Sequence, residues 1–276
     1  MKKAIVTGGA GFVGSNLIKK LLSDGVEVLS IDNYLSGYVW NHHFGARYEV
    51  ACCSQISEVA KGFKADVVFH LGEYSRVEQS MREPIKCLEN TTKTLSAVLE
   101  YCTNNNSKII YSGSSTKFGD ANSVYIMAKR HNTETVKFYA ENFNLDYAIT
   151  YFYNVYGENE ISEGKYATVI AKFLRAKNQG DSVNLHAPAT QVRNFTHIND
   201  IVSGLILVAK KGHGDNYGIG NDQAFSIKAI AEMIGVEYEI IPSPKGNRLS
   251  SALNTQKTKT LGWKAKHNLK DYLESH

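Results

Sequence analysis

The chain has 276 residues, 43% of them apolar and 21% charged, with only 4 Pro and a net charge of +4. This length exceeds a usual single domain, so one large domain or two closely joined lobes is expected. The small positive balance is spread along the chain with no basic block interleaved with aromatics, which argues against a nucleic-acid partner and suits an anionic small molecule.

In chain order, "KAIVT" (3–7) reads as a strand. "FVGSNLIKKLLSDG" (12–25) has helical spacing and stops at Gly25. "VEVLSID" (26–32) and "RYEVAC" (47–52) read as the second and third strands, with a helix through about Lys61. "ADVVFHL" (65–71) is a fourth strand whose nearly continuous apolar run suits a parallel strand covered on both faces. A long helix follows Pro84 over 85–102, "SKIIYSGS" (107–114) is the fifth strand, a helix runs from about Ser123 to Asn142, and "LDYAITYFY" (145–153) is a sixth strand. This regular alternation implies right-handed crossovers and an α/β, doubly wound parallel sheet. After Asn154 the loops lengthen, as in "GENEISEGKY" (157–166), and a smaller, irregular C-terminal lobe is expected with no flexible linker. The division expected is 1–153, with about 192–213 returning, for the sheet domain, and 154–191 with 214–276 for the lobe.

The four cysteines, at 52, 53, 87 and 102, have no C-x-x-C spacing, which fits reduced thiols in a cytoplasmic protein. The nine histidines never fall into H-E-x-x-H or a comparable ligand spacing, so no metal is expected. The glycines of "MKKAIVTGGAGFVG" come too early for the core of a signal peptide, and no run of eighteen apolar residues spans a membrane.

"TGGAGFVG" (7–14) lies between the first strand and the first helix, with glycines at 8, 11 and 14. Such a turn lets backbone approach a pyrophosphate closely, while the helix N-terminus offers free N–H groups and the positive end of its dipole. Asp32 follows at the end of strand two, placed to accept hydrogen bonds from an adenosine ribose and to repel a 2′-phosphate. The pattern therefore favours NAD over NADP.

Ligands of such a sheet sit beyond the carboxyl ends of its strands. The fifth strand ends in "YSGSSTKFG" (111–119), and "SVYIMAKRHN" (123–132) begins the next helix, with Tyr125 and Lys129 one turn apart on one face. Tyr-x-x-x-Lys alone is common, but here a serine, a tyrosine and a lysine converge where hydride would move. Oxidising a sugar hydroxyl requires a base, and a phenol of reference pKa near 10 is a poor one. A neighbouring ammonium stabilises phenolate, and bringing the phenol close to neutrality asks for about 3 units, or ~4 kcal/mol.

With these residues in view, the chain resembles the extended short-chain dehydrogenase/reductases, specifically the nucleotide-sugar epimerases and dehydratases of UDP-glucose 4-epimerase type. "TGGAGFVGSNL", "DVVFHLGEYSRVEQS" (66–80), "SGSSTKFG", "FYNVYG" (152–157), "VRNFTHINDIV" (192–202) and "LGW" (261–263) are each similar to a family signature, and together they cover nearly the whole chain. The resemblance implies a Rossmann-type domain carrying NAD and a smaller substrate-binding lobe. It implies Tyr125, Lys129 and Ser114 as catalytic residues. Gly8, Gly11, Phe12, Val13, Gly14, Asp32, Asn33, Leu71, Gly72, Asn90, Tyr125, Lys129 and Tyr153 would line the NAD site. Ser114, Asn154, Arg193 and Arg248 would hold a nucleotide-diphosphate sugar, the arginines by bidentate contact with phosphate. It further implies a homodimer in which the helices 85–102 and 123–142 form a four-helix bundle.

Several positions depart from the family pattern. Only ten residues separate Ser114 from Tyr125, where the family carries a longer segment that helps form the substrate pocket. The arginine before "Y-F-N" is Tyr151, the aspartate after strand three is Cys52 beside Cys53, and the alanine pair after "H-L" is Gly72-Glu73. The last puts a carboxyl near the cofactor, where a solvated loop charge and a functional group are both open readings. "R-P-G-D" is represented only by "PKGNR", which is closer to the heptose-nucleotide 6-epimerases. The Asp-Glu pair that 4,6-dehydratases use for water elimination is Ser115 and Thr116, which disfavours dehydration. The expected activity is NAD-dependent UDP-hexose 4-epimerisation, by transient hydride transfer to bound NAD and return to the opposite face of the sugar. A nucleotide-sugar dehydrogenase or ketoreductase, a heptose-nucleotide 6-epimerase and a non-catalytic NAD-binding module remain as alternatives.

Overall fold

The computed structural model describes residues 1–75, 77–115, 123–243 and 252–276. The first half alternates as the pattern implied: β1 (Lys3–Thr7), α1 (Phe12–Ser23), β2 (Glu27–Asp32), β3 (Arg47–Val50), α2 (Ile56–Val59), β4 (Val67–His70), α3 (Val77–Arg82), α4 (Pro84–Asn105), β5 (Lys108–Ser112), α5 (Val124–Phe143) and β6 (Tyr147–Phe152). The second half contains β7 (Val155–Tyr156), α6 (Val169–Gln179), β8 (Val183–His186), β9 (Val192–Asn194), β10 (Thr196–His197), α7 (Ile198–Lys211), β11 (Gly214–Ile219), β12 (Ala224–Ser226), α8 (Ile227–Ile234), β13 (Tyr238–Ile241), α9 (Gln256–Thr260) and α10 (Leu269–Glu274).

Local chemistry sets these elements. In β1, Ala4 and Val6 feed one core cluster and Ile5 the other, the period-two consequence of a strand covered on both faces. The helix α1 buries Leu17, Ile18 and Leu21 on one stripe and ends before Gly25, whose φ of +75° a side chain would resist. Pro84 at the first turn starts α4, and its Leu95, Val98, Leu99 and Cys102 are buried. The Ser123 side chain caps α5 by accepting from the Ile126 N–H, and Asn144 in the left-handed region ends it.

The central sheet has seven strands in the order β11-β6-β5-β4-β1-β2-β3, every neighbouring pair parallel. On one face α1 and α7 bury Leu17, Leu21, Ile201 and Leu205; on the other, α2, α4 and α5 bury Ile56, Leu99 and Val136. A third cluster joins α6, α8 and α10 through Phe173, Ile230 and Leu269. The strand order reverses between β1 and β4, so a crevice opens beyond the carboxyl ends of those strands.

Three elements differ from the sequence reading. β11, expected within the C-terminal lobe (214–276), is the seventh strand of the sheet; its polar opening "GDN" conceals it, while Tyr217 and Ile219 bury against the sheet core. The short α3 was not anticipated, since "VEQSMR" carries no apolar stripe. The helix expected after strand three is a 3₁₀ turn (Cys53–Gln55) running into the single turn of α2.

Candidate active site

A cleft of about 650 Å³ lies at the crevice between β1 and β4 and extends over the C-terminal lobe. At one end stands the glycine turn. Gly8 has φ +71°, and a Cβ there would lie 2.9 Å from Gly72, so the loops after β1 and β4 are in contact at the switch point. A Cβ on Gly14 would fall 2.1 Å from the Gly8 carbonyl oxygen, so any side chain would force α1 away from the turn. The helix begins at Gly11 with no side-chain cap and no acidic residue in its first turn, which leaves the first N–H groups open toward the cleft. Asp32 accepts from the Ala10 N–H (2.9 Å) and the Tyr34 N–H (2.8 Å), and burial raises its carboxyl pKa against these bonds. Gly8, Gly11, Phe12, Val13, Gly14, Asp32, Asn33, Leu71, Gly72 and Asn90 all line this part of the cleft. The cradle is thus closed to side chains and open to an anion, with a carboxylate left to accept ribose hydroxyls, and its donor set fits a dinucleotide.

Cys52 and Cys53 also line this end, as free thiols. Cys53 is buried, donates to the Gly72 carbonyl at 3.6 Å, and burial pushes its thiol up to about 12, which makes it packing rather than a nucleophile.

Ser114, Tyr125 and Lys129 all line this cleft. The α3 turn contributes to this placement: the Tyr125 N–H donates to the buried Ser80 hydroxyl at 3.1 Å, an anchor the sequence did not reveal. Lys129 lies one turn on, buried, with its ammonium donating to the Ser112 carbonyl at 2.7 Å and lying 5.1 Å from the centre of the Tyr111 ring.

Its main partner is Glu73. The side chain of Glu73 is only 2% exposed, which removes the solvated-loop reading of this carboxyl. Glu73 Oε2 accepts from Lys129 Nζ at 2.5 Å and from the Tyr111 hydroxyl at 3.0 Å, and Oε1 accepts from Asn132 Nδ2 at 2.9 Å. His70 Nε2 stands 3.2 Å from Oε1. The tautomer of that histidine follows from donor counting. Thr7 Oγ1 accepts from the Leu71 and Gly72 N–H groups, so its own proton points to His70 Nδ1 at 2.8 Å. His70 Nδ1 therefore accepts, which leaves Nε2 as the protonated nitrogen facing Glu73. Burial alone would raise the Glu73 carboxyl, but the Lys129 ammonium and His70 hold it well below the usual range. Burial likewise opposes the Lys129 charge, and Glu73 outweighs it and raises that pKa. Loss of the alanine expected after "H-L" was the only sequence signal for this cluster.

The cleft is also lined by Asn154, Arg193 and, unanticipated, Phe152, Lys172, His186 and Phe195. Asn154 donates to the Asn194 carbonyl at 2.8 Å, and Arg193 Nη1 to the Val192 carbonyl at 2.9 Å. Tyr153, expected beside the cofactor, is not among the lining residues. It is fully buried against Gly218 and Gly220, with its hydroxyl accepting from the Asn254 N–H at 3.0 Å, and strand alternation turns its neighbour Phe152 to the cleft instead. Arg248 and most of the loop before Tyr125 lie outside the described residues. Tyr151, in place of the family arginine, is buried and donates to Asp215 at 2.7 Å. Among the described residues no cluster of His, Cys, Asp or Glu forms a metal site, and no helix is long and apolar enough to cross a membrane.

A Rossmann-type sheet, a glycine cradle at its switch point and a Ser-Tyr-Lys group beyond β5 together define a dinucleotide-dependent enzyme architecture. The model of the NAD dependent epimerase/dehydratase family matches residues 4–220, and the chain belongs to that family, with NAD as cofactor. It is 28% identical over 255 residues to UDP-N-acetyl-alpha-D-glucosaminuronate decarboxylase of Bacillus cytotoxicus, covering 84% of this chain and 79% of that protein. It is 26% identical over 289 residues to a putative UDP-glucose 4-epimerase of Methanocaldococcus jannaschii, covering 97% and 94%. The solved structure of UDP-glucose 4-epimerase with UDP-glucose from Thermotoga maritima superposes with a TM-score of 0.91 at 27% identity, covering 99% of this chain and 96% of that one. The chain spans 59% and 60% of the length of the UDP-glucuronic acid decarboxylase 1 proteins of Xenopus tropicalis and Danio rerio that it also matches.

Proposed function

We propose that the protein is an NAD-dependent nucleotide-sugar epimerase of the UDP-hexose 4-epimerase type. The observation that carries this reading is one cleft lined at once by the closed glycine cradle, by Ser114, Tyr125 and Lys129, and by Asn154 and Arg193. Gly8, Gly11, Phe12, Val13 and Gly14 would take the pyrophosphate, Asp32 and Asn33 the adenosine ribose, and Leu71, Gly72, Asn90, Tyr125 and Lys129 the remainder of the cofactor. Bound NAD supplies the hydride acceptor. In this reading Tyr125 removes the proton of the sugar hydroxyl, Ser114 holds the same oxygen in line, and Lys129 stabilises the phenolate. The sheet domain thus carries the cofactor, and the segments around 154–191 and after β11 carry the nucleotide sugar, with Arg193 on its phosphates. A cleft of about 650 Å³ suits a ketone that must present its other face before it is reduced.

The four free thiols support a reducing, cytoplasmic setting. A homodimer through α4 and α5 is supported by the exposed Ile85, Met127 and Phe138 on those helices.

The test is incubation with UDP-, GDP-, ADP- and CDP-sugars, uronic acids included, with product stereochemistry read by NMR and the reduced-nicotinamide band followed. Epimerised product without net cofactor reduction is expected, and Tyr125→Phe should lower kcat by roughly 10²–10⁴-fold, the usual worth of a general base. Net reduction or carbon dioxide release would instead identify a dehydrogenase or a decarboxylase, and unchanged turnover by Tyr125→Phe would overturn the assigned base.

A further inference from the structure

The assigned chemistry uses the Lys129 ammonium but leaves unexplained the carboxylate bound to it. We infer that Glu73 is a positioning residue of the active centre: it pins Lys129 and offsets its charge, and so sets the pH range in which Tyr125 works. This inference rests on the Tyr125–Lys129 reading above.

The geometry is that of a built anion site. Four side chains from three different elements converge on one carboxylate: His70 from β4, Tyr111 from β5, and Lys129 and Asn132 from α5. Asn132 spends its second amide hydrogen on the Thr91 carbonyl at 3.0 Å, so it has no donor left for a ligand. Lys129 spends two of its three donors on Glu73 and Ser112, which leaves one for the Tyr125 side or a cofactor hydroxyl. Lys129 and Glu73 thus form an ion pair of one positive and one negative charge. A phenolate at Tyr125 therefore faces an ion pair, where the family's alanine would leave a bare ammonium. Other titratable groups facing the pair among the described residues are Tyr111, Cys53 and, from α4, the buried Cys87, all held neutral by burial.

The sign of the effect follows from charge. The Glu73 carboxylate opposes a second anion nearby, and it draws the ammonium onto itself; both raise the cost of the phenolate. Removing the negative charge leaves the Tyr125 phenolate as the counter-ion of the buried Lys129 ammonium. The phenolate is then easier to form.

The deciding experiment uses the NAD-loaded protein with Glu73→Gln and Glu73→Asp. In Glu73→Gln the acid limb of log kcat against pH should move to lower pH by about one unit, with KM within about twofold. Glu73→Asp keeps the charge but places it one methylene farther from the ammonium, and should move the limb in the same direction by less. Independently of substrate, the ultraviolet phenolate titration of each protein, taken as a difference against its own Tyr125→Phe version, should show the same displacement. Movement to higher pH, or none in either variant, overturns the inference. If no nucleotide sugar is turned over, the epimerase reading fails while the titration still decides the role of Glu73. If Glu73→Gln does not unfold cooperatively, Glu73→Asp carries the test.

Discussion

Glu73 beside the cleft and Asp200 in α7 are both carboxylates withdrawn from solvent, and their partners differ in kind. Asp200, 1% exposed, accepts from the Lys266 and His267 N–H groups at 3.0 Å each and from His267 Nδ1 at 3.0 Å, while its own carbonyl receives Trp263 Nε1 at 3.1 Å. Backbone donors of this sort tie a chain segment down, and here they fasten the C-terminal stretch around "LGW" to the sheet domain. Glu73 is served by side chains instead, one charged and two titratable. Equal burial thus conceals opposite purposes. The two family signatures containing Asp200 and Trp263 hold the architecture, whereas the departure at Glu73 reaches the chemistry.

That contrast can be broken by substitution. The largest effect is expected from Lys129→Met, which strands the Glu73 carboxylate and should cost about 3–5 kcal/mol in urea unfolding, most of it recovered in the double variant with Glu73→Gln. A double variant as unstable as Lys129→Met alone would show that the pair is not coupled. Asp200→Ala removes the acceptor of the Lys266 and His267 N–H groups and should cost roughly 2–3 kcal/mol, with Trp263 fluorescence shifted, yet leave the pH profile of turnover in place; a displaced profile would erase the distinction between the two sites.

The smallest effect concerns His197, stacked 4.3 Å from His267. Burial, helped by the neighbouring His267, depresses His197 to about 4. The unfolded chain takes up this proton near 6.5 and the folded one resists it, so its contribution is complete above about pH 6.5 and fades as pH falls toward 4. Its loss approaches roughly 3 kcal/mol only near the bottom of that window and is absent at neutral pH. His197→Asn keeps an acceptor for the Asn199 N–H (now 3.2 Å from His197 Nδ1) and should flatten stability against pH across that window; an unchanged slope would place the acid sensitivity elsewhere.

Much of the sheet domain was legible because its signals are local. The β-branched runs of β1, β4 and β5, the glycine turn and the Tyr125–Lys129 spacing each occupy a few consecutive residues. What escaped depends on distant partners. The opening of β11 is polar and becomes strand only by pairing with β6. The six residues of α3 have no stripe of their own, and their worth lies in the Ser80 contact 45 residues away. Tyr153 and Phe152 exchange places because the end of β6 turns Phe152, not Tyr153, toward the cleft. Glu73 reads as a loop charge until donors up to 59 residues downstream close around it.

One consequence concerns transferability. A single short stretch, from Glu73 to Ser80, delivers both the carboxylate that holds Lys129 and the hydroxyl that holds the Tyr125 backbone. Two controls on one catalytic turn therefore travel together as a contiguous cassette, encoded apart from the residues they govern. Grafting that cassette, with Asn132 supplied on the receiving helix, into a relative that carries alanines there would import the pH behaviour of this protein without altering the cradle, the triad or the substrate lobe.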